Sequence, residues 1–463
     1  MRTWAVALGV AALGVAAAGS EGAYFSQSWG WVALAFVCPV ALVLILGWAR
    51  APGRLRVAFA LLVTGLGVWI ALSATWSLSP AASIREVERM LAYVGLALAV
   101  AFVLRRGDEA ALAAGIFAGV AVIASYALAT RLFQDRFETF DYRGLPYRLA
   151  EPIGYWNSLG LLTAIGILVG LGFLAHAKRV VHAAVAGVSL PVLATTLYFT
   201  FSRGAWAALG VGLVATVALD PRRFRLVWST LSVLPASVAC VAIASQQEAL
   251  TTEEAPQADA VAQGHRLAAV IVAFALLSGV LAVGAALVAR RVDVPRWALR
   301  SVDAGLAALA VAGLLIAVVL AGGPRDALAG LKDRFDTPTV PGGQNLNERL
   351  FSVSGNGRQE SFGVAWDAAR DRPVLGHGAG SYEYLWYQQR PSLQVIRDAH
   401  SLYVEMLAEV GVVGLALLCL GLVVPMVAAV RARRTRLVPA AAGAYLAWVA
   451  HSAVDWNWEL VAV

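Results

Sequence analysis

The chain has 463 residues, of which 60% are hydrophobic and only 14% are charged, and its mean hydropathy is +0.71. A soluble domain needs more charge to cover its surface, so this composition excludes an ordinary water-soluble protein. The net charge of +7 does not indicate nucleic-acid binding either, because the basic residues are divided among short clusters between apolar blocks.

Apolar blocks recur along the chain with lengths near the ~20 residues that cross a bilayer as a helix. Such helices satisfy every backbone polar group internally, as the bilayer demands. We therefore predict an all-α polytopic membrane protein with about 12–14 transmembrane helices. The predicted spans are 4–18, 31–48, 57–75, 90–104, 111–130, 158–175, 180–200, 205–219, 226–245, 267–289, 302–321, 401–430 and 437–456.

The arginines predict the orientation of these spans. If Arg2 is cytoplasmic and the joints alternate between the two sides, every cytoplasmic joint carries a basic cluster with few acids, as positive-inside orientation requires. We expect a multi-pass protein of the cytoplasmic membrane with a cytoplasmic N-terminus. Three parts follow: helices 1–11 with short loops over 1–321, a large extracytoplasmic loop over 322–400, and C-terminal helices over 401–463.

The long loop contains the most distinctive local sequences. Residues 358–370 have the spacing of a short amphipathic helix, with Phe362, Ala365, Trp366 and Ala369 on one apolar face. The next stretch, VLGHGAGSYEYLWYQQR, combines three glycines with four aromatic residues, which makes Gly378 and Tyr382 candidate substrate-binding residues. Its aromatic rings are suited equally to anchoring in lipid headgroups and to stacking on sugars.

Three further positions suggest chemistry at the membrane surface. His400 ends the long loop just before a span, and its ordinary pKa suits proton abstraction at neutral pH. A helix starting there places Tyr403 on the same side, and Glu405 follows. Arg203 lies in a joint of a few residues, and Arg358 begins the amphipathic helix. Guanidinium groups bind phosphate oxygens in a bidentate way, although a polar cap and headgroup contacts are the simpler interpretations.

Three segments, in this order and spacing, resemble the O-antigen ligase and polymerase superfamily of bacterial envelope enzymes. They are EPIGYWNSLG over 151–160, FSRGAW over 201–206, and the block from Gly357 to Gly414. The resemblance implies a GT-C-like membrane fold and a metal-independent, inverting glycosyltransferase without a cofactor. It also implies that Arg203 and Arg358 hold a donor pyrophosphate, that His400 deprotonates the acceptor, and that Tyr155 and Asn157 of the GYWN sequence contribute to the site.

The implied partners are an undecaprenyl-pyrophosphate-linked glycan as donor, membrane lipids, and a glycolipid, polysaccharide or other surface molecule as acceptor. A repeat-unit polymerase of the same superfamily and, from another class, a flippase of lipid-linked sugars remain alternatives. A flippase should carry charge at mid-membrane depth, whereas these arginines fall at span ends. Relatives usually continue into a further span, so we expect either a C-terminus outside the cytoplasm or a longer parent chain.

Overall fold

A computed structural model describes residues 2–49, 51–105, 107–137, 147–176, 178–252, 255–291, 301, 304–305, 345–351, 355 and 357–463. Within these residues the structure is helical. The helices, in chain order, are α1 Arg2–Ala18, α2 Ser26–Ile45, α3 Arg54–Ser73, α4 Pro80–Phe102, α5 Glu109–Leu132, α6 Trp156–His176, α7 Val180–Phe199, α8 Arg203–Leu219, α9 Arg223–Ser245, α10 Glu248–Thr251, α11 Gln257–Arg291, α12 Leu346–Phe351, α13 Arg358–Asp371, α14 Tyr382–Gln389, α15 Leu402–Ala432 and α16 Val438–His451.

The predicted all-α polytopic architecture is confirmed. Twelve of the thirteen predicted spans coincide with a described helix. The remaining span, 302–321, lies outside the described residues except for 304–305, and 322–344 lies wholly outside them. Eight described helices are long and apolar enough to cross a membrane, and α1 and α8 are shorter apolar helices. In α4 the first turns carry Arg85, Glu86, Glu88 and Arg89, so its apolar part begins only near residue 90, as predicted.

Helix α6 forms the centre of the larger group of helices, because 94% of the residues in its apolar 18-residue segment are buried. It packs against α5, α7, α8, α9 and α16. Its glycines allow this close approach: a Cβ on Gly160 would lie 2.8 Å from the Ala205 Cβ, and one on Gly172 would lie 2.6 Å from the Ala440 Cβ. Small residues are the usual means by which membrane helices approach closely.

The joints between helices meet at two opposite ends of the bundle. At one end, the Leu149 N–H donates to the Phe199 carbonyl at 3.0 Å, and the Leu402 N–H donates to the Ser452 carbonyl at 2.9 Å. We call this the site end. At the other, the basic end, arginine side chains cross between joints: Arg56 donates to the Leu104 carbonyl and Arg290 to the Lys178 carbonyl.

Residues 357–401 form a folded layer, here called the loop layer, on the site end beside α3, α4 and α15. Its core consists of small and aromatic side chains from α13 and α14 packed against Ala408 of α15. Glu409 of α15 accepts hydrogen bonds from the backbone N–H groups of Gly380 and Tyr382, at 2.9 and 2.8 Å. A buried carboxylate therefore ties the glycine-rich sequence to the helix that follows it.

Three details differ from the sequence predictions. The amphipathic helix exists as α13, but Trp366 is 48% exposed, so its placement on the buried face was wrong; Ser361, Val364, Ala365, Ala368 and Ala369 form that face. His400 is not on a helix, since α15 begins at Leu402. The last predicted span is also shorter: α16 ends at His451, and 452–463 folds across the site end, where the Tyr93 hydroxyl donates to the Trp458 carbonyl.

Gly411 interrupts α15 with φ +66° and ψ −171°, a conformation that is essentially restricted to glycine. A Cβ there would lie 2.1 Å from the Val374 carbonyl oxygen. We expect Gly411→Ala to destabilise the protein by roughly 1–3 kcal/mol and to lower its melting temperature in detergent. Gly363→Ala on α13 is the matched control, because nothing lies within 4 Å of its Cβ position. Equal melting temperatures for the two variants would contradict this account.

Candidate active site at the site end

A buried carboxylate, Asp455, is the hub of the site. It follows α16 and is 2% exposed. One of its oxygens accepts a hydrogen bond from the Arg358 guanidinium at 2.9 Å and another from the Asn157 amide at 2.5 Å. The other oxygen accepts from the Tyr155 hydroxyl at 2.6 Å. Three residues singled out from the sequence therefore converge on one that was not.

Asn157 joins this hub to a second buried cation, Arg148. The Asn157 side-chain oxygen accepts from Arg148 at 3.3 Å, while its nitrogen donates to Asp455. Arg148 also donates to the carbonyls of Thr200 and Phe201, at 2.9 and 3.0 Å. Thr200 and Phe201 directly follow α7, so these hydrogen bonds fix the short joint that precedes Arg203.

The described residues at this hub include several arginines. Arg148 is 5% exposed, and burial together with the charges of Arg349 and Arg203 lowers its pKa. The cation is thus destabilised by its surroundings, although a guanidinium remains protonated in proteins. Arg358 begins α13, whose N-terminus has no capping side chain and so favours an anion. Arg148 and Arg358 thus converge on Asp455 and its partner Asn157, and guanidinium groups gathered in this way suit a polyanionic ligand.

His400 has a backbone φ of +58°, in the left-handed region that few residues other than glycine adopt. Its Nδ1 lies 2.9 Å from the Asp398 carbonyl oxygen, which only accepts, so Nδ1 carries the proton and Nε2 is the basic nitrogen. Burial and the charge of Arg358 lower the pKa of His400, while Asp455 raises it. These effects favour the neutral imidazole, and His400 lies close enough to Arg358 and Asp455 for their charges to shift its pKa.

Carboxylates hold the segment that carries His400. Glu405 accepts a hydrogen bond from the Ala399 backbone N–H at 2.5 Å. Carboxylate oxygens of Asp398, Glu405 and Glu459 lie within 4.8 Å of one another, and Arg89 forms an ion pair with Glu459. Burial raises the pKa of Asp398 to about 7. No sequence pattern indicates this group, because Arg89 and Glu459 are far in sequence from Asp398 and Glu405.

The other predicted residues lie in packing contacts. Gly378 has φ +97°, and a Cβ there would lie 2.2 Å from the Ser77 Cβ. The buried Tyr382 hydroxyl donates to the Ser361 carbonyl at 2.9 Å, which fixes α14 on α13. Tyr403 donates to the Val449 carbonyl at 2.9 Å and links α15 to α16. The structure thus gathers Tyr155, Asn157, Arg358 and His400 around Asp455, with Arg203 at the adjoining joint.

Sequence reasoning missed Arg148, Arg349, His451 and Asp455 as site residues. His451 and Asp455 did carry a signal, since ionisable residues near the end of an apolar span are costly and usually functional. His451 is 1% exposed and packs on the joint: a Cβ on Gly204 would lie 3.2 Å from its Nε2. Arg148 and Arg349 lacked such a signal, because each lies in a polar stretch that contains other arginines.

We expect Asp455→Asn to destabilise the protein by about 3 kcal/mol at pH 7, because it leaves the mostly buried Arg358 without its anion. Burial alone would raise the pKa of Asp455, but the charges of Arg358, His451 and His400 lower it below its usual value. Its contribution is therefore complete above the unfolded pKa of about 4 and is lost as the pH falls below that value. Unfolding in detergent across pH 3–7 measures the difference.

The control for this variant is Asp367→Asn, which removes an exposed pair with Arg370 at 3.9 Å. Exposed pairs contribute little, so we expect its stability to change by less than about 0.5 kcal/mol. A destabilisation by Asp455→Asn that persisted unchanged at pH 3 would contradict the electrostatic explanation.

One region of the chain matches a known protein family. Residues 267–419, about a third of the chain, match the family model described as O-antigen ligase. The matched region contains Arg349, Arg358 and His400, whereas Arg148, Arg203 and Asp455 lie outside it. No curated protein shows significant similarity to the chain. This match over residues 267–419 supports the O-antigen ligase and polymerase superfamily as the one that the chain resembles.

Proposed function

We propose that the protein is a membrane glycosyltransferase of the O-antigen ligase type. It transfers a glycan from undecaprenyl pyrophosphate to an acceptor hydroxyl at the outer face of the cytoplasmic membrane, with inversion and without a metal ion. The observation that carries the proposal is the group of arginines around one buried carboxylate, next to a histidine whose Nε2 is its basic nitrogen.

The arginines match the charge of a pyrophosphate. Arg358 and Arg203, supported by Arg148 and Arg349, supply several guanidinium groups against one buried carboxylate. As the bond between the sugar and the pyrophosphate breaks, negative charge grows on the leaving oxygen. Fixed cations therefore stabilise the transition state more than the bound substrate, which is the condition for catalysis. They take the place that a divalent cation fills in many phosphate-handling sites.

The proposed step is a single displacement. The acceptor hydroxyl oxygen forms a bond to carbon-1 of the donor sugar, and the electron pair of the carbon-1–oxygen bond leaves with the pyrophosphate. His400 Nε2 takes the hydroxyl proton. Attack opposite the leaving group inverts the anomeric configuration.

Binding of the donor also changes the base. Arg358 lowers the pKa of His400 in the free protein, so an anion on Arg358 relieves that repulsion and makes His400 more basic. Asp455, whose charge favours protonated His400, stabilises the imidazolium that forms.

The distribution of arginines supports the outer face as the location. The joints at the basic end carry clusters such as Arg54 with Arg56 and Arg433 with Arg434, whereas the site end combines its arginines with acids and aromatic rings. Positive-inside orientation then assigns the basic end to the cytoplasm.

A flippase is less well supported. A transporter of lipid-linked sugars needs its charges along a path through the membrane interior. Here Arg203 and Arg358 are the first residues of their helices, and Arg148 lies in the joint before α6. These three arginines thus lie at or near helix ends. Such positions suit a reaction at the membrane surface.

We expect His400→Ala to reduce glycan transfer at least about 100-fold, the usual contribution of a general base, while the protein still binds donor. Purified protein, lipid-linked donor and acceptor are incubated with EDTA, and product is separated by gel electrophoresis. The control is His265→Ala, an exposed histidine paired with Asp135. Near wild-type transfer by His400→Ala would remove His400 from the mechanism, and inhibition by EDTA that magnesium reverses would contradict the metal-independent step.

Arg203→Lys tests the pyrophosphate assignment separately. A lysine keeps the charge but not the bidentate fork, so we expect donor affinity to fall roughly tenfold. Binding of the lipid-linked donor in detergent measures this change. Arg266→Lys, an exposed arginine near the start of α11, is the control and should bind donor normally. Unchanged donor affinity in Arg203→Lys would exclude a bidentate role for Arg203.

A repeat-unit polymerase uses similar chemistry on another acceptor. Deletion of the gene distinguishes the two activities by what accumulates on the lipid carrier. We expect full-length lipid-linked polymer, the result for a ligase. Accumulation of single lipid-linked repeat units would show instead that the protein is a polymerase.

A further inference from the structure

A cavity of about 770 Å³ opens at the basic end of the bundle, at the opposite end from Asp455. It lies between the end of α2, the start of α3, the end of α4 and the end of α15. Its walls come from residues 51–56 and 101–105 together with Val43, Trp48 and Arg431. The proposed reaction uses none of these residues.

The cavity is strongly cationic. Four arginines line it: Arg54, Arg56, Arg105 and Arg431. No aspartate or glutamate occurs among the described lining residues; the nearby Asp108 is buried and accepts a hydrogen bond from the Arg105 backbone N–H at 2.9 Å. Arg56 uses one of its five N–H groups on the Leu104 carbonyl. Four guanidinium groups around one cavity indicate an anionic ligand with phosphate-like oxygens.

Positive-inside sorting explains why each joint is basic, but it does not explain this convergence. Arg54 and Arg56 follow α2, Arg105 follows α4, and Arg431 lies in the last turn of α15. The fold thus brings cations from three separate joints to one cavity. The start of α3 adds an N-terminus whose cap, Gly53, has no side chain to satisfy its N–H groups.

The rest of the wall is apolar. Val43, Leu55, Phe102 and Leu104 line the cavity together with the arginines, and Trp48, also in its wall, is 62% exposed. Since α2 and α3 are long and apolar enough to span the bilayer, their ends lie where headgroups meet acyl chains. Tryptophan is enriched at that level. A ligand that fits both parts has an anionic head and hydrocarbon chains.

We propose that this cavity binds one anionic phospholipid, with the headgroup phosphate on the arginines and the acyl chains along the apolar wall. Basic pockets between transmembrane helices recognise anionic headgroups in this way. The lipid is favoured over a free phosphate because free phosphate would leave the apolar wall exposed to water.

Native mass spectrometry of the full chain in neutral detergent tests the proposal. The probes are dioleoyl phosphatidylglycerol, dioleoyl phosphatidylcholine and inorganic phosphate. We expect one retained phosphatidylglycerol per protein, weak retention of phosphatidylcholine, and no displacement by millimolar phosphate. Equal retention of the two lipids would overturn the role of the arginines, and displacement by phosphate would overturn the lipid assignment.

Two variants and one control separate the cavity from general basic attraction. Arg54→Gln with Arg105→Gln should weaken phosphatidylglycerol retention by about tenfold or more, since each cation attracts the headgroup. The control pair, Arg290→Gln with Arg291→Gln, removes the same charge from the end of α11 and should retain lipid normally. Equal losses in both pairs would overturn the cavity as the site.

Val43→Trp fills the apolar part of the cavity and keeps every arginine. We expect it to lose the lipid while remaining folded, because Val43 is only partly buried on α2. Size-exclusion chromatography checks that each variant is folded. Normal phosphatidylglycerol retention by Val43→Trp would place the lipid elsewhere and contradict the proposal.

Discussion

The ion pair between Asp455 and Arg358 is the constraint on which the site end depends. A buried carboxylate without a partner is very costly, so the segment after α16 can fold inward only if a cation is brought to it. That cation begins α13, and its ion pair with Asp455 therefore docks the start of the loop layer onto the helix bundle. Tyr155 and Asn157 complete the coordination from the start of α6. A single charge therefore sets the positions of three chain segments.

How much of the fold and of the site could be predicted depends on how far apart in sequence the interacting residues are. Local patterns were sufficient for the helices: α13 begins at Arg358 as predicted and ends one residue later than predicted, and only residues 200–202 separate α7 from α8. The hub was not predictable, because Arg358 and Asp455 are 97 residues apart and Tyr155 and Asp455 are 300 apart. No periodicity in one sequence reports such a contact.

The errors have physical reasons of the same kind. Trp366 has the spacing of a residue on the apolar face, but the side chains of α13 that pack against α14 and α15 are those of Val364, Ala365 and Ala368. The ring instead lies outside, where Arg370 stacks over it. The sequence predicts a helix start near His400 because the helix begins only two residues later, at Leu402. The left-handed backbone of His400 depends on tertiary support, including the bond from Ala399 to Glu405.

The two ends of the bundle use arginine differently. At the site end, Arg148 is buried and donates to backbone carbonyls, so its position is fixed before any substrate arrives. At the basic end, Arg54, Arg105 and Arg431 are exposed around an open cavity. Fixed cations suit the stabilisation of a charge that develops at one point, whereas exposed cations suit a headgroup that exchanges with the surrounding bilayer.

The break at Gly411 also divides α15 into two pieces. The Val412 N–H donates to the Pro373 carbonyl instead of continuing the helical ladder, so residues 402–410 belong mechanically to the loop layer. What remains, 412–432, is 21 residues of helix that contain Pro425. At about 1.5 Å per residue this piece is roughly 31 Å long, close to the hydrocarbon thickness of a bilayer. The 31-residue α15 thus consists of one helical piece of membrane length and a short arm that carries Glu405 and Glu409.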